Sequence, residues 1–349
     1  MNRILKLVGY GLVSALLIFA LTQLDLTQLL KSITRIPLLT LAILACLQLV
    51  SLLLVNLQWH QVANRCAARL SFRDMFYINC QGAVIDSITP GVKIGGEVTR
   101  AVLIGRMGKC SGEEAAAVVA VQKLFSLSVF FFICLFAAGI IISDLAMFQA
   151  GRFQLIIYGF LFFFLMLFSC SFIFTRRILV FLKNRWEDLA DAERGNSEIS
   201  IGGTPPKKKN RIRSFLIALF EGLIIIRKNK KLLFVILLLS FIIWLLYPAK
   251  IYLLTMQMHN EAHIAVIGAA VFAAYLVAML PIFPGGLGGY EATLSWLLLA
   301  SGFLQSDAVA IAIVFRFFTF WLVMLFSLGY IGFSKVMNNR DVVPESRRL

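Results

Sequence analysis

Apolar runs of about twenty or more residues recur along the sequence, and a helix of that length can cross the hydrocarbon core of a bilayer. Six such runs are uninterrupted, at 4–23, 37–59, 114–142, 153–175, 231–252 and 306–334. Of all residues 60% are hydrophobic and only 15% are charged, against roughly 25% charged in soluble globular chains. The sequence therefore predicts an all-α polytopic membrane protein and excludes a soluble globular one.

Two further apolar stretches, 75–106 and 262–302, contain proline and several glycines near the middle. Because proline removes a backbone donor and glycine weakens a helix interior, neither stretch predicts one continuous helix. We expect both to be re-entrant hairpins, which enter and leave the membrane on the same side. Irregular backbone at that depth has to be buried in protein or to line a wet cavity.

The basic residues lie mostly on one predicted side of the membrane. That side holds both termini and the loops 60–75, 100–113 and 176–230, and it carries 26 of the 33 Lys and Arg residues. The positive-inside rule then places both termini in the cytoplasm, and we expect a bacterial inner-membrane location. This bias and anionic lipid head groups account for the formal net charge of +15, so nucleic acid is not an expected partner. Within the long loop, 211–226 predicts an amphipathic helix lying in the membrane interface.

The two interrupted stretches are similar to each other in sequence. The first reads Pro90-Gly91-Val92-Lys93-Ile94-Gly95-Gly96-Glu97, and the second reads Pro284-Gly285-Gly286-Leu287-Gly288-Gly289-Tyr290-Glu291. Proline, two glycines and glutamate coincide at the same offsets. The similarity continues into the following span, where Lys123 matches Arg316.

This similarity predicts two inverted repeats, 1–142 and 153–334, followed by a cytoplasmic tail, 335–349. Each repeat would contain two spans, one hairpin and a third span, with the 176–230 loop inserted in the second repeat. Inverted repeats with broken helices near the bilayer midplane are typical of secondary transporters. The pattern therefore indicates transport, without saying what is transported.

Charged residues inside the predicted membrane segments gather at the same places. An ionisable group there costs about 2.5–3.5 kcal/mol on insertion scales and tends to be paired and functional. The candidate residues are Asp86, Lys93, Glu97, Lys123, Glu291 and Arg316. The backbone candidates around them are Pro90, Gly91, Gly95, Gly96, Pro284, Gly285, Gly286, Gly288 and Gly289. Lys250, near the outer end of its span, is expected to extend to the interface and to be structural.

Two interpretations of Glu97 and Glu291 stay open. Each glutamate opens the second half of a hairpin, where free N–H groups and the helix dipole form a positive pole. It could simply cap that helix. Alternatively, the positive pole and a nearby base hold an anionic head group, with the glutamate as gate or proton carrier.

These residues also carry a resemblance to a known family. Its marks are Pro90-Gly91-x-x-x-Gly95-Gly96-Glu97-x-x-Arg100, Pro284-Gly285-Gly286-x-Gly288-x-x-Glu291, and Arg316 in the last span. Nearly the whole chain resembles the transmembrane region of the lysylphosphatidylglycerol synthase family, also called the flippase-like domain family. The resemblance adds Arg100 to the candidate substrate-binding residues.

In long members of that family, such a region flips an aminoacylated phospholipid that an attached synthetase domain makes. The last predicted span ends at residue 334 and the sequence ends at Leu349. We therefore expect no synthetase domain, and the resemblance does not extend to aminoacyl transfer. What it implies is translocation of a lipid or of a lipid-linked substrate.

The sequence thus predicts a flippase-like transporter for an amphiphile with an anionic head group, such as an anionic phospholipid or a polyprenyl-phosphate-linked lipid. The chain has no ATP-binding motif, so we expect movement to be downhill or coupled to protons through a membrane carboxylate. Two alternatives remain: a membrane enzyme or enzyme subunit acting on lipid-linked sugars, and a non-transporting scaffold. We do not expect an enzyme, because no loop carries a catalytic His or Asp cluster. Neither a cofactor nor a metal is expected.

Overall fold

The computed structural model describes residues 26–89, 94–144, 151–181, 184, 207–258, 263–280 and 286–340. Throughout this part of the chain the regular elements are helices, which confirms the predicted all-α class. They are α1 (Leu26–Thr34), α2 (Leu38–Cys66), α3 (Phe72–Ile88), α4 (Ile94–Gly108), α5 (Gly112–Asp144), α6 (Gly151–Ile173), α7 (Lys207–Lys228), α8 (Lys230–Thr255), α9 (Ile264–Ala278), α10 (Gly289–Ala300), α11 (Gln305–Arg316) and α12 (Leu322–Arg340). A 3-10 turn, Met256–Met258, extends α8, and a π-helical turn, Phe317–Trp321, joins α11 to α12.

Four helical stretches of the described chain are long and apolar enough to cross a membrane. They are Leu38–Cys66, Gly112–Ser143, Lys230–Met258 and Gln305–Met337. Four of the predicted spans lie within them, and α6 lies where a fifth was predicted, at 153–175. The remaining predicted span, 4–23, is outside the described residues.

The linkers on either side of the first interrupted stretch are shorter than the sequence predicts. A loop was predicted at 60–75, but α2 continues to Cys66 and α3 begins at Phe72. Ser71 fixes this start, because its hydroxyl accepts the N–H of Asp74 while the Asp74 carboxylate accepts the N–H of Ser71. The predicted loop at 100–113 is likewise mostly helical, since α4 runs on to Gly108.

Both predicted breaks coincide with helix ends. The first lies between α3, which ends at Ile88, and α4, which begins at Ile94. The second lies between α9, which ends at Ala278, and α10, which begins at Gly289. Helix α3 packs against α4, and α9 packs against α10, so each broken stretch forms a helix pair.

The last helix of each half packs on the helix pair of the other half. Helix α5 lies against α9, with the rings of Phe130 and Phe272 6.1 Å apart. Helix α12 lies against α3, with the rings of Phe76 and Tyr330 4.8 Å apart. The two halves therefore exchange equivalent contacts.

Helices α2 and α8, which precede the two helix pairs, run antiparallel to each other. Near one end of their contact Gln58 bonds Ser240, and near the other end Lys250 bonds Gln48. Residue numbers thus rise along one helix as they fall along the other. Equivalent helices that run in opposite directions are what an inverted repeat requires.

Helix α7 occupies the predicted amphipathic segment, 211–226, but part of its apolar face is covered by protein. It packs against α5 and α2, and Leu223 and Ile226 are 2% and 0% exposed. The sequence predicted that this face lies on lipid at the interface. Packing against α5 removes apolar side chains from water as effectively as lipid does. The periodicity of the sequence does not show whether they pack on protein or on lipid.

Candidate functional site

The first cluster of membrane charges lies where α3 and α4 meet. The carboxylate of Asp86, on α3, accepts the N–H of Gly96 at 3.0 Å through one oxygen. Its other oxygen pairs with a guanidinium nitrogen of Arg100 at 3.0 Å. Asp86 therefore supplies a negative charge to the first turn of α4, where the helix dipole favours it.

Arg100 lies within α4 and not in a loop. Its side chain is 12% exposed, and the guanidinium lies 5.5 Å from the ring centre of Trp59. The loop assignment that the charge count gave it was wrong, because the pair with Asp86 lets α4 continue through this position. The family resemblance named Arg100 as a candidate site residue. That assignment agrees with its position in α4 better than the predicted loop does.

The second element of the site joins α4 to α5. Glu97 and Lys123 form an ion pair with 2.8 Å between the carboxylate oxygen and the ammonium nitrogen. Both side chains are about one third exposed, at 28% and 31%. This pair is therefore accessible from outside the protein core.

The corresponding residues of the second half are paired in the same way. The Arg316 Nε lies 3.1 Å from one carboxylate oxygen of Glu291, and the other oxygen accepts the N–H of Gly288 at 2.7 Å. Glu291 thus caps α10 and pairs with a base at once. For Glu97 the contact given by the structure is the ion pair.

Both pairs lie at similar depth. Glu97 and Lys123 are each eleven residues from the turn between α4 and α5, and Arg316 is eleven residues from the start of α11. At 1.5 Å per helical residue, these distances are about 16.5 Å. A hydrocarbon core is roughly 30 Å thick, so a turn at its surface would put each pair near the midplane.

Glycines in the motifs allow the close approach of backbone and charge. A Cβ on Gly96 would overlap the Asp86 side chain and the carbonyl oxygen of Gly82. Gly288 has a φ of 83°, which a residue with a side chain rarely adopts. Both glycines stand next to the carboxylates that the site uses.

Aromatic rings enclose Arg316. Its guanidinium carbon lies 4.5 Å from the ring centre of Phe320 and 5.3 Å from that of Tyr290, which is fully buried. The π-helical turn begins at the next residue, and such turns are frequent at functional sites. Neither the turn nor the aromatic enclosure gave a signal in the sequence.

Other predicted residues lie outside the part of the chain that the structure describes. They are Lys93, Pro90, Gly91, Pro284 and Gly285. Of the remaining motif glycines, Gly95 lies against Thr89, Gly286 has a φ of 71°, and Gly289 begins α10.

The predicted reach of Lys250 to the membrane interface was wrong. The sequence suggested that it extends to the membrane interface, but its side chain is 0% exposed. Its ammonium donates to Gln48 Oε1 and to Ser51 Oγ on α2, each at 2.7 Å. The packing of α2 on α8 buries Lys250. The polar residues spaced along the apolar helix α2 did not reveal this contact in the sequence.

Sequence comparison identifies the family. Residues 6–327 match the family described as the lysylphosphatidylglycerol synthase TM region. The chain belongs to this family. It is also similar to a UPF0104 membrane protein of Methanothermobacter thermautotrophicus, with 25% identity over 82% of this chain and 83% of the relative. A UPF0104 membrane protein of Pyrococcus horikoshii is 24% identical over 98% of both chains.

In this member of the family, the described membrane carboxylates of the site are each held by a base. Asp86 pairs with Arg100, Glu97 with Lys123 and Glu291 with Arg316. In such an arrangement an anionic ligand can replace the carboxylate on the base. The base then keeps an anion as its partner throughout the exchange. Within the described ranges, the structure groups no three His, Cys, Asp or Glu side chains that could hold a metal.

Proposed function

We propose that this protein is a flippase-like transporter that moves a lipid with an anionic head group between the leaflets of its membrane. The observation that carries the proposal is the equivalence of two ion pairs, Glu97–Lys123 and Glu291–Arg316, in two oppositely oriented halves. Ionisable groups at membrane depth mark substrate pathways. Inverted halves that meet around such groups are an architecture of secondary transporters.

Anion exchange on the two bases is the proposed mechanism. A phosphate oxygen is a ligand of the same kind for Lys or Arg as a carboxylate oxygen. A lipid phosphate therefore replaces Glu97 on Lys123, or Glu291 on Arg316, without leaving the base unpaired. A proton or a further cation compensates the displaced glutamate, which makes the carboxylates the gates of the pathway.

An apolar cavity between helices of both halves suits the tail of such a substrate. It has a volume of about 280 Å³ and lies between α5, α6, α9 and α10. Cys134, Ala138, Leu161, Ala273 and Trp296 contribute to its lining, together with Thr293, two residues after Glu291.

Orientation follows from the basic residues. We place the protein in the cytoplasmic membrane with both termini inside, because Lys and Arg concentrate on that side. The α4–α5 turn then lies at the cytoplasmic surface and the α10–α11 turn at the outer surface. The helices that carry the two pairs consequently reach the midplane from opposite surfaces.

Lipid movement can be tested in reconstituted vesicles that contain fluorescent NBD-phosphatidylglycerol in both leaflets. Dithionite, which does not cross the bilayer, bleaches only the outer leaflet of protein-free vesicles. With active protein, label from the inner leaflet is also bleached. Vesicles that contain folded wild-type protein and bleach like protein-free vesicles would contradict the proposal.

The variant that tests the site is Glu97→Gln with Lys123→Met, which removes an acid and a base together. We expect it to insert normally and to lose inner-leaflet bleaching. The matched control is Glu221→Gln with Lys228→Met, which removes the same two charges from exposed positions on α7. Vesicles with this control should be bleached like those with wild type. An equal loss of inner-leaflet bleaching in both double variants would contradict the assignment of the site to Glu97 and Lys123.

A further inference from the structure

Lys250 is a buried base whose ammonium has only neutral partners among the described residues. Its two hydrogen bonds go to the side-chain oxygens of Gln48 and Ser51, and the ring centre of Tyr247 lies 4.9 Å away. Its side chain is 0% exposed. No described carboxylate lies within ion-pair distance of it.

The other described bases of the membrane core differ from Lys250 in this respect. Arg100, Lys123 and Arg316 each pair with a carboxylate, so each of those pairs is neutral. An ammonium moved out of water without a counter-charge costs several kcal/mol. Neutral oxygens and an aromatic ring recover part of that cost, but they leave the positive charge uncompensated.

The groups around Lys250 are suited to a phosphate. Ser51 carries a hydroxyl that now donates to the carbonyl of Leu47, and Gln48 carries an amide NH₂ beside the oxygen that Lys250 uses. Both side chains can turn a donor towards an anion. Together with the Lys250 ammonium, the hydroxyl and the amide provide three kinds of hydrogen-bond donor around one point. A phosphate diester matches them, because its oxygens can only accept hydrogen bonds.

Lys250 also lies at a contact between the two halves. It joins α8 of the second half to α2 of the first half, and these two helices run antiparallel. Pro248 precedes it by two residues inside α8. Because proline lacks an N–H and displaces the preceding turn, α8 is weakened as a helix at this position.

The equivalent contact at the other end of α2 and α8 carries no charge. There Gln58 bonds Ser240 and accepts from Gln122. The positive charge is therefore specific to one end of the contact, and a purely structural bridge between two helices does not need it. The neutral bridge shows that polar side chains alone can join them.

We propose that Lys250, with Gln48 and Ser51, is a binding site for the phosphate of an anionic lipid as it passes between the halves. The ligand class is a lipid phosphate diester or monoester, and this inference rests on the proposed transport function. When such a phosphate displaces a glutamate from Lys123 or Arg316, the membrane core gains one negative charge. Lys250 supplies the compensating positive charge.

Direct binding tests the site without relying on transport. Purified protein in neutral detergent is titrated with dioctanoylphosphatidylglycerol, and in parallel with zwitterionic dioctanoylphosphatidylcholine and with inorganic phosphate. Binding is followed by native mass spectrometry of the retained ligand. The variants are Lys250→Met, Lys250→Arg and Lys231→Met, the last of which removes an exposed lysine from the same helix.

We expect wild type, Lys250→Arg and Lys231→Met to retain the anionic lipid in preference to the zwitterionic one. Lys250→Met should bind the anionic lipid about tenfold more weakly or worse, the loss of one charge-assisted contact. Its thermal stability should equal or exceed that of wild type, because an uncompensated buried charge is gone.

Three results overturn the inference: undiminished binding in Lys250→Met, no preference for anionic lipid in wild type, and equal retention of inorganic phosphate. A strong loss of stability in Lys250→Met also contradicts it, since that result identifies a structural bridge. Dithionite bleaching of the same preparations keeps the two proposals separate. If Lys250→Met binds the lipid normally and inner-leaflet label is still bleached, the Lys250 site is rejected. The proposed transport function is not contradicted by that result.

Discussion

Removing both members of the Glu291–Arg316 pair separates its part in stability from its part in transport. The single variants are Glu291→Gln and Arg316→Met, and the double variant combines them. If the charges served only to neutralise each other, the double variant would be both stable and active. We expect it to stay folded and inserted but to be inactive.

The geometry sets the order of the single variants. Arg316 is 8% exposed, and Glu291→Gln removes the carboxylate that lies 3.1 Å from its Nε. Arg316→Met instead leaves a carboxylate that is 21% exposed and keeps the N–H of Gly288 at 2.7 Å. The loss of Glu291 should therefore cost more than the loss of Arg316.

Coulomb's law at an effective dielectric constant of about 20 gives about 5 kcal/mol of attraction for a pair at this distance. Desolvation offsets much of this attraction, and breaking one side of a buried pair costs about 3–5 kcal/mol in general. We expect about 3 kcal/mol for Glu291→Gln and about 2 kcal/mol for Arg316→Met, with the double variant no worse than Glu291→Gln. The coupling between the two residues is then about 2 kcal/mol.

Stability is ranked by heating each variant in detergent and measuring the protein that stays monodisperse, since membrane proteins commonly unfold irreversibly. Transport is measured by dithionite bleaching in the same preparations. Additive losses in the double variant would show that Glu291 and Arg316 do not interact as described. Full transport by a stable double variant would show that these charges have a structural role only.

Two further predictions concern packing and topology. Gly96→Ala should destabilise the protein and abolish transport, because the new methyl group overlaps Asp86 and the Gly82 carbonyl; Gly332→Ala, with open space around it, should leave thermal stability and transport unchanged. In a chain that lacks its native cysteines, a cysteine at Ser301, in the α10–α11 turn, should react with an impermeant thiol reagent added outside. Labelling only from the cytoplasmic side would show that α9 and α10 do not form a re-entrant pair.

Much of the site was predictable because the same local pattern occurs twice. Proline and glycine end helices by backbone chemistry, so the breaks before Glu97 and Glu291 were visible in the sequence. The match between Lys123 and Arg316 predicted equivalent bases. It could not show that each base pairs within its own half, because pairing depends on how α4 packs on α5 and α10 on α11.

The sequence failed where a residue's surroundings come from distant helices. Lys250 and Gln48 are 202 positions apart, so the burial of Lys250 depends on a contact that no local pattern records. Arg100 was placed in a loop because hydropathy treats each charge as solvated. Its pairing with Asp86, fourteen residues earlier, cancels that charge within the membrane.

The last helix of each half packs on the helix pair of the other half, and this has a consequence for the order in which the protein is synthesised and assembled. Helix α3, in the first half, packs its Phe76 face on α12, which the ribosome makes long after α3. The first half consequently stays incomplete in the membrane until α12 has been inserted. A chain that stops before α12 lacks more than one helix, because the helix pair beside Glu97 has then lost the surface on which it packs.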